Sequence, residues 1–215
     1  HWLRKATVAV EDERFAGHPG VDFVSIGRAS LQNLCAGRVV SGASTLDMQL
    51  CRMLDPRPRT LGAKLSEAAR AWQADTWLSK EEILEAYLNL APYGGNLQGA
   101  EAASLRYFGK SAEELSLPEA ALLAGIPQSP ARLRPDRYPE AAKKRRNKVL
   151  SRMQAEGMIS REDALDAMSQ PVGLEPRNLT ASSARHFVHD ALIKRPDGGR
   201  SFLDAQLQSE IGRLA

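Results

Sequence analysis

Three carboxylates crowd ten residues near the start of the chain, in the stretch EDERFAGHPG from Glu11 to Gly20. Acidic side chains are most often a solvated surface. Glu11 differs, because it directly follows the apolar run Ala6 to Val10 and so stands where a buried element emerges into a cleft. Loss of water there suits a carboxylate to accept a proton, the task of a general base. Asp12 is better suited to capping a helix or pairing with Arg14 or His18. His18 reads as an orienting histidine rather than a catalyst, and Phe15 as core.

Further along, SGASTLDMQL from Ser41 to Leu50 sets two hydroxyls, Ser44 and Thr45, before a helix carrying Gln49 and Arg52. Hydroxyls and free backbone amides at a helix start can approach a phosphate or a sugar hydroxyl. A Ser-Thr pair that only caps its own helix needs no ligand, so this signal is weak alone. Lys64 and Glu67 follow at i and i+3, on one helical face. Their bland reading is an exposed ion pair worth about 0.2–0.5 kcal/mol. The functional reading makes Glu67 a second carboxylate across a cleft from Glu11, with Lys64 and Arg52 supplying positive charge. Inverting transfer at an anomeric carbon needs a base for the incoming hydroxyl and help for the departing oxygen, and a diphosphate leaving group adds a need for cations. The run KKRRNK from Lys143 to Lys148 is a solvated helix face in its bland reading; as a functional feature it suits diphosphate or anionic lipid.

The elements that must position these groups are helices. Ser79 with Glu82, Ser111 with Glu114, Ser116 with Glu119 and Ser160 with Asp163 all fit the capping-box spacing. Ile83, Leu84, Tyr87 and Leu88 fall on one helical face, as do Leu61, Leu65, Ala68, Ala69 and Trp72. A basic helix is expected from Pro139 to about Glu156, with Gly157 as its C-cap. The best strand signal is ATVAV, Ala6 to Val10, too little to build a sheet. The fold class is therefore mainly α.

The order of these motifs resembles the five signatures of glycosyltransferase family 51, the peptidoglycan glycosyltransferases of class A penicillin-binding proteins. The matching text is EDERFAGHPG, GASTLDMQL, KLSE, then KEEILEAYLN with YGGNLQGAEAASLRYFGK, and RRNKVL, spanning roughly Ala6 to Met158. LAPYGGNLQGAEAAS and ARLRPDRYPEAA are most similar to the C type. The resemblance implies a lysozyme-like, two-lobed glycosyltransferase domain, in which 21–40 belongs to a smaller, mobile, membrane-facing lobe. It implies that Glu11 is the base that deprotonates the acceptor hydroxyl of lipid II, and that Glu67 assists at the diphosphate or helps place a divalent cation, Mg²⁺ or Mn²⁺. Ser44, Thr45, Gln49, Arg52 and Lys64 then contact donor sugar and diphosphate, Asp12, Phe15 and His18 shape the first motif, and Arg145 or Arg146 reaches the lipid-linked end. Tyr87 and Asn89 organise the fold behind the site. The chain departs from the family pattern at Ala43, at Asp47-Met48-Gln49 and at Ala63, which leaves fewer donors toward the diphosphate than in a typical member.

Composition bounds the reading. With 29 basic and 26 acidic residues the net charge is +3, and the basic run has no interleaved aromatics, which argues against nucleic acid. Cys35 and Cys51 cannot make a metal site by themselves. The longest uncharged apolar run, Ala120 to Ile126, falls far short of the roughly 20 residues that span a bilayer. His1 in place of Met suggests a piece of a longer chain, whose anchor lies elsewhere, at the periplasmic face of a bacterial inner membrane. We expect the glycosyltransferase domain over 1–172, and over 173–215 a linker and the truncated start of a transpeptidase-type domain. No serine here has lysine three positions later, so a transpeptidase nucleophile of the S-x-x-K kind is absent from these 215 residues. Expected partners are lipid II, the growing glycan strand, the membrane and other cell-wall synthesis proteins. The alternatives are a lysozyme-like muramidase and a non-catalytic scaffold that binds lipid-linked glycan.

Overall fold

The computed structural model describes residues 1–38, 42–58 and 60–174. The expected linker and following domain, from 175 on, lie outside the described residues. Helix α1 (Trp2–Glu11) leads through a single 3₁₀ turn (Phe15–Gly17) to α2 (Phe23–Ala36), α3 (Leu46–Leu54), α4 (Leu61–Trp77) and α5 (Lys80–Leu90). A two-stranded antiparallel ribbon follows, β1 (Pro92–Gly94) with β2 (Leu97–Gln98), and then α6 (Ala100–Phe108), α7 (Leu117–Gly125), α8 (Pro139–Ala155) and α9 (Arg161–Ser169). The domain is mainly α, as its caps imply. The boxes at Ser79–Glu82, Ser111–Glu114, Ser116–Glu119 and Ser160–Asp163 all form, satisfying helix-start amides that would otherwise have no acceptor. Helix α8 ends where Gly157 takes φ +67°, a left-handed conformation that costs glycine little.

The ATVAV stretch is helix, not strand. Leu3, Ala6, Thr7, Ala9 and Val10 recur at helical spacing and are buried. Packing against α7 outweighs the strand preference of Thr7, Val8 and Val10. Helix α7 is apolar on every side after its first turn, buried from Ala120 to Gly125, and packs between α1 and α8. Its alanines let the neighbouring helices approach closely, so it forms the axis of the main hydrophobic cluster, which also takes in α5, α6 and the start of α9. A second, much smaller cluster contains only Val21, Met48, Cys51 and Ala71, at the meeting of α3 and α4. Among the described residues of the expected smaller lobe, 21–40, only Val21 joins this second cluster. Cys51 is buried there, Cys35 is exposed on α2, and both are free thiols.

Helix α4 reverses the expected inside and outside. The stripe read as core faces solvent, with Leu65 73% and Trp72 50% exposed, while Ala63, Glu67 and Ala71 are buried. The periodicity correctly marks an apolar face, but the described residues do not cover that face. Helix α2 does the same with Phe23, Val24, Leu31 and Leu34, and Phe23 meets Trp72 edge-on at 5.9 Å. Among the described residues no helix is long and apolar enough to cross a membrane.

Candidate active site

The site begins at the C-terminal end of α1. Because α1 is buried on the side that carries Val10, its last residue, Glu11, is delivered to the edge of the core with 11% of its side chain exposed. Gln49 Nε2 donates to Glu11 Oε2 at 3.0 Å, and Arg145 Nη2 stands 3.7 Å from Oε1. Tyr87 Oη makes a long contact of 3.5 Å with Gln49 Oε1, which fixes the amide with its nitrogen toward Glu11. Burial pushes the Arg145 guanidinium down from its usual range, and the Glu11 charge opposes that shift. Glu11, Gln49 and Arg145 are thus brought together from three helices.

Asp12 and His18 form the frame expected of them. His18 Nε2 lies 3.1 Å from both Asp12 oxygens, and Asp12 Oδ2 also accepts from the Leu46 amide at 3.0 Å. Thr45 caps α3 through the Met48 amide and donates to the Gly20 carbonyl at 2.7 Å. The first and second motifs are therefore clasped backbone to side chain at two points, and the Gln49–Glu11 bond is the third. Thr45, fully engaged and buried, serves this clasp rather than facing a ligand; Ser44 beside it is half-buried. Gly20 has φ +75°, and a Cβ there would lie 2.3 Å from the Ala71 carbonyl oxygen, so the loop rests directly on the α4 backbone. Phe15 is buried, with Lys80 Nζ 4.7 Å above its ring.

One turn beyond Gln49 on the same face of α3, Arg52 grips Glu67 bidentately at 2.8 and 2.6 Å. That pairing holds the Arg52 guanidinium above its usual range. Helix α3 therefore links both carboxylates, Glu11 through Gln49 and Glu67 through Arg52. The expected exposed pair of Lys64 with Glu67 does not form: Glu67 is buried and turned to α3, while Lys64 is exposed.

The basic run divides. Arg145 faces Glu11, but Arg146 does not reach any lipid-linked end. It is 1% exposed and donates to the carbonyls of Met168 at 2.9 Å and Gln170 at 2.8 Å, closing the end of α9. Consecutive helical residues point about 100° apart, so the two arginines meet different partners. The third acid, Glu13, ties α2 to α8 through Arg28 at 3.1 Å and Arg152 at 3.2 Å, and the Arg28 bond first among these holds its carboxyl below the usual range.

Sequence reasoning missed two groups. Lys80 reaches Asp47 at 3.2 Å and Asp75 at 2.5 Å. Burial pushes the Asp47 carboxyl up, against the pull of Lys80. Tyr93 of β1 is fully buried and its proton affinity is raised, first by burial and then by the Glu11 charge. No periodicity marks either group, because each depends on which elements meet in space.

Two places have donors that a divalent cation could use. Asp12, His18 and Asp47 offer ligand atoms within 4.8 Å of one another, but His18, Leu46 and Lys80 already serve those carboxylates. Glu67 is engaged by Arg52. Each of these carboxylates already has a partner, so no step is derived through a cation.

The chain matches the transglycosylase family over residues 1–154, and it belongs to that family. It is 49% identical over 212 residues to penicillin-binding protein 1C of Escherichia coli (strain K12), covering 98% of this chain and 27% of that protein. It is 45% identical over 174 residues to penicillin-binding protein 1A of Aquifex aeolicus (strain VF5), covering 80% of this chain and 24% of the other. A 2.6 Å crystal structure of penicillin-binding protein 1A from Haemophilus influenzae aligns with 69% of this chain and 20% of its own, at 30% identity and a TM-score of 0.47. The chain spans about a quarter of the length of the curated relatives it matches.

Proposed function

We propose that this domain is a peptidoglycan glycosyltransferase that polymerises lipid II into glycan strands. The observation that carries the reading is Glu11, a carboxylate at a helix end, nearly buried and aimed by Gln49 and Arg145. In this reading Glu11 takes the proton of the acceptor sugar's 4-hydroxyl. The freed oxygen bonds to the anomeric carbon of the growing strand's terminal sugar with inversion, and the bond to the diphosphate breaks, its electron pair leaving with undecaprenyl diphosphate. Gln49 holds the carboxylate in place, and Arg145 sets a positive charge beside it. Arg52 and Glu67 form a braced wall toward the leaving group, where Lys64, exposed on the same helix, is free to meet diphosphate oxygens. Mg²⁺ or Mn²⁺ enters this reading with the diphosphate rather than through a protein cage, in keeping with the habit of small hard cations.

The outward apolar faces of α2 and α4 support membrane contact, since a polyprenyl substrate stays in the bilayer. We place the domain at the periplasmic face of the inner membrane, working on lipid II and the growing strand, with other cell-wall synthesis proteins as further partners. Membership of the transglycosylase family disfavours both the muramidase and the non-catalytic scaffold. The test is polymerisation of labelled lipid II in detergent or lipid with Mg²⁺ or Mn²⁺. Wild type makes glycan chains; Glu11→Gln keeps its melting temperature and loses about 10²–10⁴-fold in turnover. An inactive wild type counts for the scaffold, and shortening of preformed glycan counts for the muramidase.

A further inference from the structure

We propose that Tyr93 is a positioning residue for the base, its hydroxyl donating to Glu11 Oε1, directly or through one bridging water, during turnover. The inference rests on the reading of Glu11 as the base.

Two unsatisfied atoms lead to it. Tyr93 Oη and Glu11 Oε1 are both buried, and neither has a hydrogen-bond partner among the described residues. Buried polar atoms are nearly always bonded, so a donor and an acceptor both left over, with Tyr93 within reach of the Glu11 charge, call for each other. Tyr93 is well held to play this part. It lies in β1 with 0% exposure, and its carbonyl accepts the Tyr107 hydroxyl at 2.9 Å, which pins the strand from below. The other oxygen of Glu11 is already served by Gln49, and Arg145, at 3.7 Å, is too far to hydrogen-bond Oε1.

Gln49 from α3 and Arg145 from α8 stand against Glu11, and Tyr87 from α5 and Tyr93 from β1 lie within reach of its charge. Tyr87 is turned to Gln49, which leaves Tyr93 as the phenol with an uncommitted proton. The Glu11 charge is felt at both phenols, where after burial it is the next cause pushing them up, so Tyr93 keeps its proton and remains a donor throughout the working pH range. A donor to the ionised carboxylate favours the form that accepts the substrate proton. It also fixes the carboxylate plane, which Gln49 alone can only hinge.

The test is the pH profile of kcat/KM for lipid II polymerisation by the full chain in lipid or detergent, for wild type, Tyr93→Phe and the protein with 3-fluorotyrosine at position 93. Tyr93→Phe removes one oxygen that has no partner, so its melting temperature should hold. Its acid limb should move up by about half to one pH unit, the equivalent of one hydrogen bond, with kcat lowered and KM unchanged. The fluorinated phenol is a stronger donor of the same shape and should move the limb down, which decides the matter even if the phenylalanine variant folds poorly. Coincident acid limbs overturn the inference, because a merely structural tyrosine moves neither. A Glu11→Gln arm separates the two readings. If Glu11→Gln turns over like wild type, both fall; if it is inactive while the acid limbs coincide, only the role of Tyr93 falls.

Discussion

Around α7 the apolar side chains point inward at every turn, whereas α2 and α4 carry their large apolar side chains outward. Leu123 is completely buried in the main cluster; Leu34 is 80% exposed and Trp77 76% exposed at the other side of the domain. The same residue types thus serve two purposes. In the first region they exclude water and build stability, and in the second they form an apolar surface left open by the described residues. The two carboxylates of the candidate site sit at the boundary, with Glu11 at the end of a helix of the first region and Glu67 on a helix of the second.

The contrast makes its largest prediction for stability. Leu123→Ala should cost about 2–5 kcal/mol, while Leu31→Ala should stay within about 0.5 kcal/mol, both read from denaturant midpoints. Equal losses would mean that α2 is covered as α7 is, and the contrast would break. Next in size is partition to vesicles containing anionic phospholipid. Leu31→Glu and Trp72→Glu should each weaken binding about tenfold, or about 1.4 kcal/mol, without lowering the melting temperature. Unaltered partition would take the lipid out of the account of α2 and α4. The smallest effect belongs to Asp47, at the joint between the regions. Burial raises its proton affinity in the folded chain, so stability should fall as pH climbs from the ordinary carboxylate range toward the raised value. Asp47→Asn should flatten that fall in urea denaturation series run across weakly acid pH. An unchanged slope would show that Lys80 and its neighbours fully offset the buried charge.

Much of the framework was legible in the chain because it depends on near neighbours. A serine three places before a glutamate or aspartate forms its box locally, and all four boxes were found where the spacing put them. The placement of Glu11 was legible for a similar reason, since an acid at the end of an apolar run stands at the edge of a core. Other features depended on distant partners. The strand-like Ala6–Val10 became helix because α7 covers it, which no local preference reveals. Arg145 and Arg146 carry the same charge, and only the arrival of α9 decides which one turns inward. Periodicity on α4 announced an apolar stripe correctly, yet it cannot say whether the stripe meets protein or another apolar phase. The bidentate grip of Arg52 on Glu67 comes from another helix, so spacing along α4 alone does not reveal it.

The contact at Gly20 sets a dimension of the site. Its missing side chain is what lets the loop after Glu11 lie against the Ala71 carbonyl, one turn beyond Glu67 on α4. A single methyl at position 20 would act as a wedge, prising α4 from the loop and stretching the span that Gln49 and Arg52 bridge from α3. The gauge of the gap between the two acids is therefore cut by a hydrogen atom, at a residue that takes no part in the chemistry.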